Sequence, residues 1–90
     1  MEITFDPAKD AANLAKHGVS LEWASDLDWE TAVIKRDDRR NYGEVRYVAV
    51  GYIGDRLYFT AYVERDGGYR IISLRKASNR EKAIYAKAEA

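Results

Sequence analysis

The sequence contains no cysteine, one histidine and one proline among its 90 residues. Without cysteine there is no disulfide and no thiolate zinc site, and the composition fits a reducing cytoplasm as the expected location. A single histidine argues against a histidine-rich metal centre, so we expect no metal and no cofactor. No apolar run is long enough to cross a bilayer and no signal peptide is recognisable, so we expect no membrane attachment.

The chain also lacks net charge, with 15 basic and 15 acidic side chains, but the two signs are segregated. Residues 1–34 hold seven acids and two bases, a balance of −5, and residues 35–90 carry the compensating +5. Such segregation gives part of a surface a field of one sign, although ordinary solubilising charge explains it equally well. The length predicts a single domain over residues 1–90 with a modest core.

Cap and turn signals predict an α+β fold. Asp6-Pro7 is typical of a helix start and Gly18 of a helix stop, so the first helix should run to about Lys16. A second short helix, capped by Ser20, should bury Leu21, Ala24 and Leu27. The remaining elements are strands at Met1–Phe5, Thr31–Lys35, 44–53, 56–64 and 69–76, and then a helix through Tyr85. Together they predict a small antiparallel β-sheet meander with two N-terminal helices and one C-terminal helix.

Two hairpin loops fix the predicted register. A two-residue loop at Gly54-Asp55 pairs Ile53 with Arg56, and a four-residue loop at 65–68 pairs Glu64 with Tyr69. Continued without irregularity, this register gives a core face of Val48, Val50, Leu57, Phe59, Ala61, Val63, Ile72 and Leu74. The opposite face should stay partly open, and carries Tyr47, Ala49, Tyr58, Thr60, Tyr62, Glu64, Tyr69, Ile71, Ser73 and Arg75.

The segment Arg70–Tyr85 joins a basic, apolar strand to a capped helix. Ser78 and Glu81 have the spacing of a capping box, in which each side chain binds the backbone N–H of the other residue. Three cations, Arg75, Lys76 and Arg80, are therefore expected near a helix N-terminus, an arrangement that suits phosphate.

Arg75 is predicted to lie on the open face beside Tyr58. A guanidinium next to an aromatic ring could bind a phosphodiester and a stacked base. The alternative is a strand-end arginine paired with a carboxylate.

Two residues are candidates for proton transfer. His17 ends the first helix, whose C-terminus favours the imidazolium, and it is the one side chain expected to titrate near neutral pH. It could instead serve only as a cap. Tyr85 could stack on a base or donate a proton, or it could simply pack on the sheet.

The sequence has no P-loop, no nucleophile–His–Asp set and no paired-carboxylate motif. A surface of arginine, lysine, tyrosine and serine with one histidine could cleave RNA without a metal, by attack of the 2′-hydroxyl on the adjacent phosphate. It could also bind nucleic acid or a partner protein without cleaving anything. The residues alone leave both functions open.

Longer motifs resemble the BrnT toxin family of bacterial type II toxin–antitoxin systems along nearly the whole chain. The matching residues are Phe5-Asp6-Pro7-x-Lys9, Asn13, Lys16-His17-Gly18-Val19, Tyr42-Gly43-Glu44-x-Arg46, Gly51, Arg65, Arg70-Ile71-Ile72-Ser73-x-Arg75-Lys76-Ala77, Glu81 and Tyr85. Their joint order and spacing are more specific than any single piece.

The resemblance implies a RelE-like fold and an endoribonuclease that arrests growth by cutting RNA. It also implies a BrnA-like antitoxin as partner, with operator DNA bound only through the toxin–antitoxin complex. Carried over by position, it implies active-site or RNA contacts by His17, Arg65, Arg70, Arg75 and Tyr85. With Arg80 added from the helix-start argument, the expected catalytic residues are His17, Arg75, Arg80 and Tyr85. The expected RNA-binding residues are Lys16, Arg65, Arg70, Lys76 and Tyr58.

Overall fold

The structure, a computed structural model, describes residues 1–89 as a mixed sheet with helices on both sides. The elements are β1 (Ile3–Phe5), α1 (Pro7–His17), a 3₁₀-helix (Leu21–Asp26), β2 (Val33–Arg36), β3 (Tyr47–Ile53), β4 (Arg56–Arg65), β5 (Gly68–Lys76) and α2 (Asn79–Glu89). The five strands form one sheet in the order β1-β5-β4-β3-β2. The predicted α+β class is confirmed. The sheet is not wholly antiparallel, however, because β1 pairs parallel to β5, and the second N-terminal helix is a 3₁₀-helix.

The caps of α1 form as predicted. The Asp6 carboxylate accepts a hydrogen bond from the Ala8 amide at 2.9 Å, and Pro7 occupies the first turn. At the other end Gly18 adopts a left-handed conformation with φ of 71°, and its N–H donates to the Leu14 carbonyl at 2.8 Å. This conformation is accessible to glycine without a Cβ penalty, so the helix stops next to His17.

The hairpin between β3 and β4 also has the predicted register, with Ile53 opposite Arg56. In the next hairpin Glu64 lies opposite Tyr69 as predicted, but the ladder continues to a pair between Arg65 and Gly68. The loop is therefore two residues long rather than four, and both of its residues, Asp66 and Gly67, have positive φ. Two positive φ values are typical of the hairpin turn that matches the strand twist.

A β-bulge in β5 overturns the rest of the predicted register. Tyr62 pairs with Ile71, but the preceding residue of β4, Ala61, pairs with Ser73, so Ile72 is an extra residue in the ladder. Since side chains alternate between the two faces of a strand, one extra residue moves every later side chain to the other face.

The consequence for the end of β5 is a reversal of its last four side chains, at residues 73–76. The predicted pairs of Ala61 with Ile72 and of Phe59 with Leu74 are wrong; Phe59 lies opposite Arg75, and Thr60 lies opposite Leu74. Leu74 therefore belongs to the core on one side of the sheet, and Arg75 projects from the other side.

The side with most of the tyrosines, here called the tyrosine face, is the main core and not an open surface. It packs against α1 and the 3₁₀-helix. The buried residues of this core are Ala49, Tyr58, Tyr62, Ile71 and Leu74 from the sheet, and Val19, Leu21, Ala24 and Leu27 from the 3₁₀-helix and the residues next to it. The expectation that this face stays open is therefore wrong, because the two N-terminal helices both cover it. The predicted burial of Leu21, Ala24 and Leu27 is confirmed.

The opposite side, here called the valine face, carries Val33, Val48, Val50 and Phe59 and is only partly covered. Helix α2 lies over one end of it, where Tyr85 and Ala77 form a second small core with Val50 and Leu57. The rest of the valine face is the floor of a groove. None of the helices within residues 1–89 is long and apolar enough to cross a membrane.

Candidate active site

Arg75 occupies the valine face where β5 ends. Its guanidinium carbon lies 4.3 Å from the centre of the Phe59 ring. The two terminal nitrogens donate to the two carboxylate oxygens of Glu81 at 2.8 and 2.9 Å. A planar guanidinium held on a ring and by a bidentate carboxylate has little rotational freedom. A third of the Arg75 side chain is nevertheless exposed to solvent (33%).

The carboxylate that holds Arg75 also begins helix α2. The Ser78 amide donates to Glu81 Oε1 at 2.8 Å, and the Glu81 amide donates to Ser78 Oγ at 3.2 Å. The predicted capping box is therefore confirmed. Burial acts to raise the pKa of Glu81, but the hydrogen bonds from Arg75 and from the Ser78 amide hold this pKa below its usual value. Glu81 is thus a fixed anion that joins the end of β5 to the start of α2.

His17 approaches the same strand end from the tyrosine side, because α1 is tied to β5 by Asn13. The buried Asn13 amide donates to the carbonyls of Val19 and Leu74 at 2.8 and 2.7 Å, and its oxygen accepts from the Leu74 amide at 3.2 Å. His17 follows Asn13 by one helical turn, and Arg75 follows Leu74 directly. One side chain therefore fixes the relative position of both candidate residues.

The charges near His17 favour its neutral form. Burial, the charge of Lys16 and the charge of Arg75, in that order, lower the pKa of the imidazole from its ordinary value. We expected the helix C-terminus to favour the imidazolium. That expectation is wrong, because the combined effect of the surroundings is to lower the pKa of His17. A neutral imidazole near neutral pH can accept a proton, which a general base requires.

A groove of about 660 Å³ lies on the valine face next to Arg75. Arg80, Glu81 and Ile84 of α2 form one wall, and residues of β2 and of the segment after it form the other. Arg80 is exposed at this wall, close to the helix start, as its position in the sequence predicts. The groove is open to solvent.

Two predicted aromatic site residues are buried. Tyr58 is 7% exposed on the tyrosine face, with its ring centre 6.3 Å from that of Trp23, and its partner across the ladder is Lys76 rather than Arg75. The expected pairing of Tyr58 with Arg75 is wrong because of the bulge. Tyr85 is 8% exposed and packs edge-on against Tyr52 at 5.5 Å, which is the packing alternative considered for it.

The other predicted cations do not gather at one point. Lys16 and Lys76 are exposed near the ends of α1 and β5, in the same region as Arg75. Arg70 lies five residues before Arg75 on β5, or about 17 Å away along an extended strand. Arg65 lies at the far hairpin, where it pairs with Glu44 at 3.1 Å. Arg75 and Arg80 therefore line one groove, the charges of Arg75 and Lys16 act on His17, and Arg65 and Arg70 lie apart from Arg75.

Two residues near the site were given no structural role from the sequence. Asn13 was noted only as a residue that matches the family, although an asparagine in a helix interior is unfavourable unless its amide has partners. Asp37 gave no signal, although it is buried and accepts hydrogen bonds from Arg39 and Tyr42, which hold its pKa well below the usual range. Within residues 1–89 no cluster of three or more histidine, cysteine or acidic side chains could hold a metal ion.

Comparison with known proteins identifies relatives. The family model described as the ribonuclease toxin BrnT of type II toxin–antitoxin systems matches residues 5–81. Among solved structures, the crystal structure of the Brucella abortus ribonuclease toxin BrnT is similar, with a TM-score of 0.63 and 27% sequence identity. That alignment covers 88% of this chain and 99% of the Brucella chain. No curated protein matches.

Proposed function

The chain belongs to the BrnT family of ribonuclease toxins of type II toxin–antitoxin systems, and from that premise we propose a metal-independent endoribonuclease whose active site is the Arg75–His17 region. The observation that carries the proposal is the position of Arg75. Its guanidinium lies at an open groove, held by Phe59 and Glu81, and close enough to His17 for its charge to lower the imidazole pKa. RNA cleavage by its own 2′-hydroxyl needs a fixed cation and a neutral base, and Arg75 and His17 supply these two groups from the two sides of the same strand end.

The proposed reaction is an in-line displacement at phosphorus. His17 accepts the proton of the 2′-hydroxyl while the 2′-oxygen forms a bond to the adjacent phosphorus. The bond from phosphorus to the 5′-oxygen breaks, which leaves a 2′,3′-cyclic phosphate and, after the 5′-oxygen takes up a proton, a 5′-hydroxyl. The negative charge that develops on the phosphoryl oxygens is stabilised by Arg75 and Arg80. The role of Tyr85 as the proton donor stays a prediction. Because Tyr85 is buried, solvent is the simpler source of the proton for the 5′-oxygen.

The phosphate has to share Arg75 with Glu81. The exposed third of the Arg75 side chain offers the phosphate an approach from the groove, and Arg80 adds a second cation there. Lys16 and Lys76 extend the positive charge around the strand end and are proposed to bind the RNA backbone. Arg65 and Arg70 remain predictions for RNA contacts farther along the sheet. Tyr58 is not part of the proposed site because its ring is enclosed.

Purified wild type, Arg75→Ala and Arg56→Ala test the proposal on end-labelled RNA, in parallel in buffer with EDTA and in buffer with magnesium. Loss of one preorganised charge donor at a transition state typically costs about 100-fold or more in rate, so we expect that loss for Arg75→Ala. Arg56→Ala removes an exposed arginine outside the groove and should cleave like wild type. Equal cleavage by all three proteins would remove Arg75 from the mechanism, and loss of all cleavage in EDTA would refute metal independence.

One observation favours a second candidate, a non-catalytic binding module of the same fold. Both terminal nitrogens of Arg75 are already bound to Glu81, as in an arginine with a purely structural role. The same experiment separates the two functions, because a binding module leaves RNA intact under every condition and still binds a partner.

The resemblance to the family also implies a location, a fold type and partners, and we include these in the proposal. The protein acts in the cytoplasm, has a RelE-like fold and is neutralised by a BrnA-like antitoxin, and the resulting complex binds operator DNA. Support comes from the family membership and from the strand–helix arrangement around Arg75.

A further inference from the structure

The groove on the valine face continues well beyond Arg75. The ladder aligns Arg75 on β5 with Phe59 on β4, Val50 on β3 and Val33 on β2. Three spacings between adjacent strands amount to about 14 Å. Lys35 follows Val33 by two residues and faces the same side, opposite Val48. The groove therefore reaches from the candidate active site to the edge strand β2.

The unpaired charge in the groove is positive at both ends. Three acids line it, and each is bound by an arginine of this chain: Glu81 by Arg75, Asp37 by Arg39 and Asp38 by Arg36, all with closest distances of 2.8 Å. Lys35 and Arg80 also line it, and neither has an ion pair within residues 1–89. A ligand in this groove thus meets one free cation on β2 and another on α2.

The floor between these cations is apolar. It consists of Val33, Val48, Val50 and Phe59, and the half-exposed Ile84 overhangs it from α2. An apolar and aromatic surface between two cations suits a single-stranded nucleic acid, because the bases can pack on the surface and the phosphates can pair with the cations. A duplex keeps its bases stacked inside and would leave the floor uncovered.

We propose that this groove binds a single-stranded stretch of RNA, in which Lys35 holds a phosphate a few nucleotides away from the one at Arg75 and Arg80. The inference rests on the proposed function and adds a substrate class to it: unpaired RNA long enough to span the sheet. Lys35 then acts in substrate binding and not in the chemical step. Short RNAs that end before β2 gain nothing from it.

Binding is tested without cleavage by using a fluorescently labelled single-stranded octamer of 2′-O-methyl RNA, which lacks the attacking hydroxyl. Lys35→Gln should weaken this binding several-fold and reduce the slope of log affinity against log salt by about 0.7. The matched control is Lys9→Gln, which removes an exposed lysine on α1, behind the sheet, and should bind like wild type. Thermal unfolding of both variants verifies that the fold is intact.

Cleavage gives the second arm of the test. Lys35→Gln should raise KM for an unmodified RNA octamer several-fold with little change in kcat, and should cleave a dinucleotide as wild type does. Equal octamer binding and equal KM in Lys35→Gln, Lys9→Gln and wild type would overturn the groove proposal while leaving the ribonuclease proposal intact. The converse result, octamer binding that depends on Lys35 in a protein that cleaves no RNA, would support the groove and refute the ribonuclease.

A peptide competitor tests the other kind of occupant. If an octamer of glutamate binds in a Lys35-dependent manner and the RNA octamer does not bind at all, the groove is a protein-docking surface and the proposal is wrong. If the RNA octamer binds and the peptide displaces it only weakly, the result supports the proposal.

Discussion

At the scale of single residues, Arg75 illustrates why an arginine cannot be exchanged for a lysine at this position. One face of its guanidinium lies on the Phe59 ring, and its edge makes two parallel hydrogen bonds with Glu81. Ammonium has neither the planar surface for the first contact nor the fork for the second. The position of the cation is therefore set by the shape of the arginine as much as by its charge.

His17 gives a prediction about pH. Because the chain has one histidine, its imidazole can be titrated by NMR without ambiguity. We expect a pKa below 6.5, so that cleavage rises as pH increases through this pKa and levels off above it, when the base is neutral. Lys16→Gln removes a positive charge that lowers the value and should move the pKa back towards 6.5.

The control for this titration is Lys9→Gln, which leaves the surroundings of His17 unchanged and should not shift its pKa. A pKa of His17 at or above 6.5 in the wild-type protein would contradict the electrostatic account of the site.

At the scale of the elements, the position of α1 on β5 depends on one buried amide. Asn13→Ala removes three hydrogen bonds and leaves the Val19 carbonyl and both backbone groups of Leu74 without these partners. Each buried polar group left unpaired costs about 1–3 kcal/mol, so we expect the free energy of unfolding to fall by about 3 kcal/mol. Chemical denaturation measures this change. The exposed Asn79→Ala serves as the control and should stay within about 0.5 kcal/mol of wild type.

Elements with a local signal could be predicted from the sequence. The caps at Asp6 and Gly18, the hairpin at Gly54-Asp55 and the capping box of Ser78 and Glu81 all depend on a few neighbouring residues, and each forms as predicted. For the same reason the sequence could predict that Arg75 lies near the junction between the last strand and the capped start of the last helix.

The two faces of the sheet could not be assigned, because the register depends on a bulge that leaves no mark in the sequence. Ile71 and Ile72 are both apolar, so either one can occupy a core position. Both faces of the central strands are also partly buried, and no alternation of polar and apolar side chains penalises a shift by one residue. Deciding which face the helices cover required the three-dimensional packing, and this choice enclosed Tyr58 and exposed the groove at Phe59.

At the scale of the whole molecule, the segregation of charge along the chain becomes a segregation in space. The acidic residues 1–34 supply β1, α1, the 3₁₀-helix and the start of β2, most of which lie on the tyrosine side of the sheet. The basic remainder supplies the strands and the helix that border the groove. Such a field draws a polyanion towards one side of a molecule whose net charge is zero.

The toxin assignment carries a prediction for the living cell. We expect a neighbouring gene to encode the inhibitor, since an uninhibited ribonuclease would halt the growth of its host. Deletion of that gene should be lethal or strongly inhibitory, and growth curves with a complemented strain measure the effect. Unimpaired growth with normal expression of this chain would contradict the prediction.

The double role of Glu81 would let the proposed active site exchange one anion for another. In the free protein the Glu81 carboxylate is bound to Arg75; in the proposed RNA complex a phosphate would take part or all of that place, so that the guanidinium would have a counterion in both states. The displaced carboxylate would keep its hydrogen bond from the Ser78 amide, so α2 would retain its first turn during the exchange. We therefore expect selectivity for a polymer. A single phosphate would only replace the Glu81 carboxylate as the counterion of Arg75, whereas an RNA strand that also reaches the far edge of the sheet would gain contacts that Glu81 cannot supply.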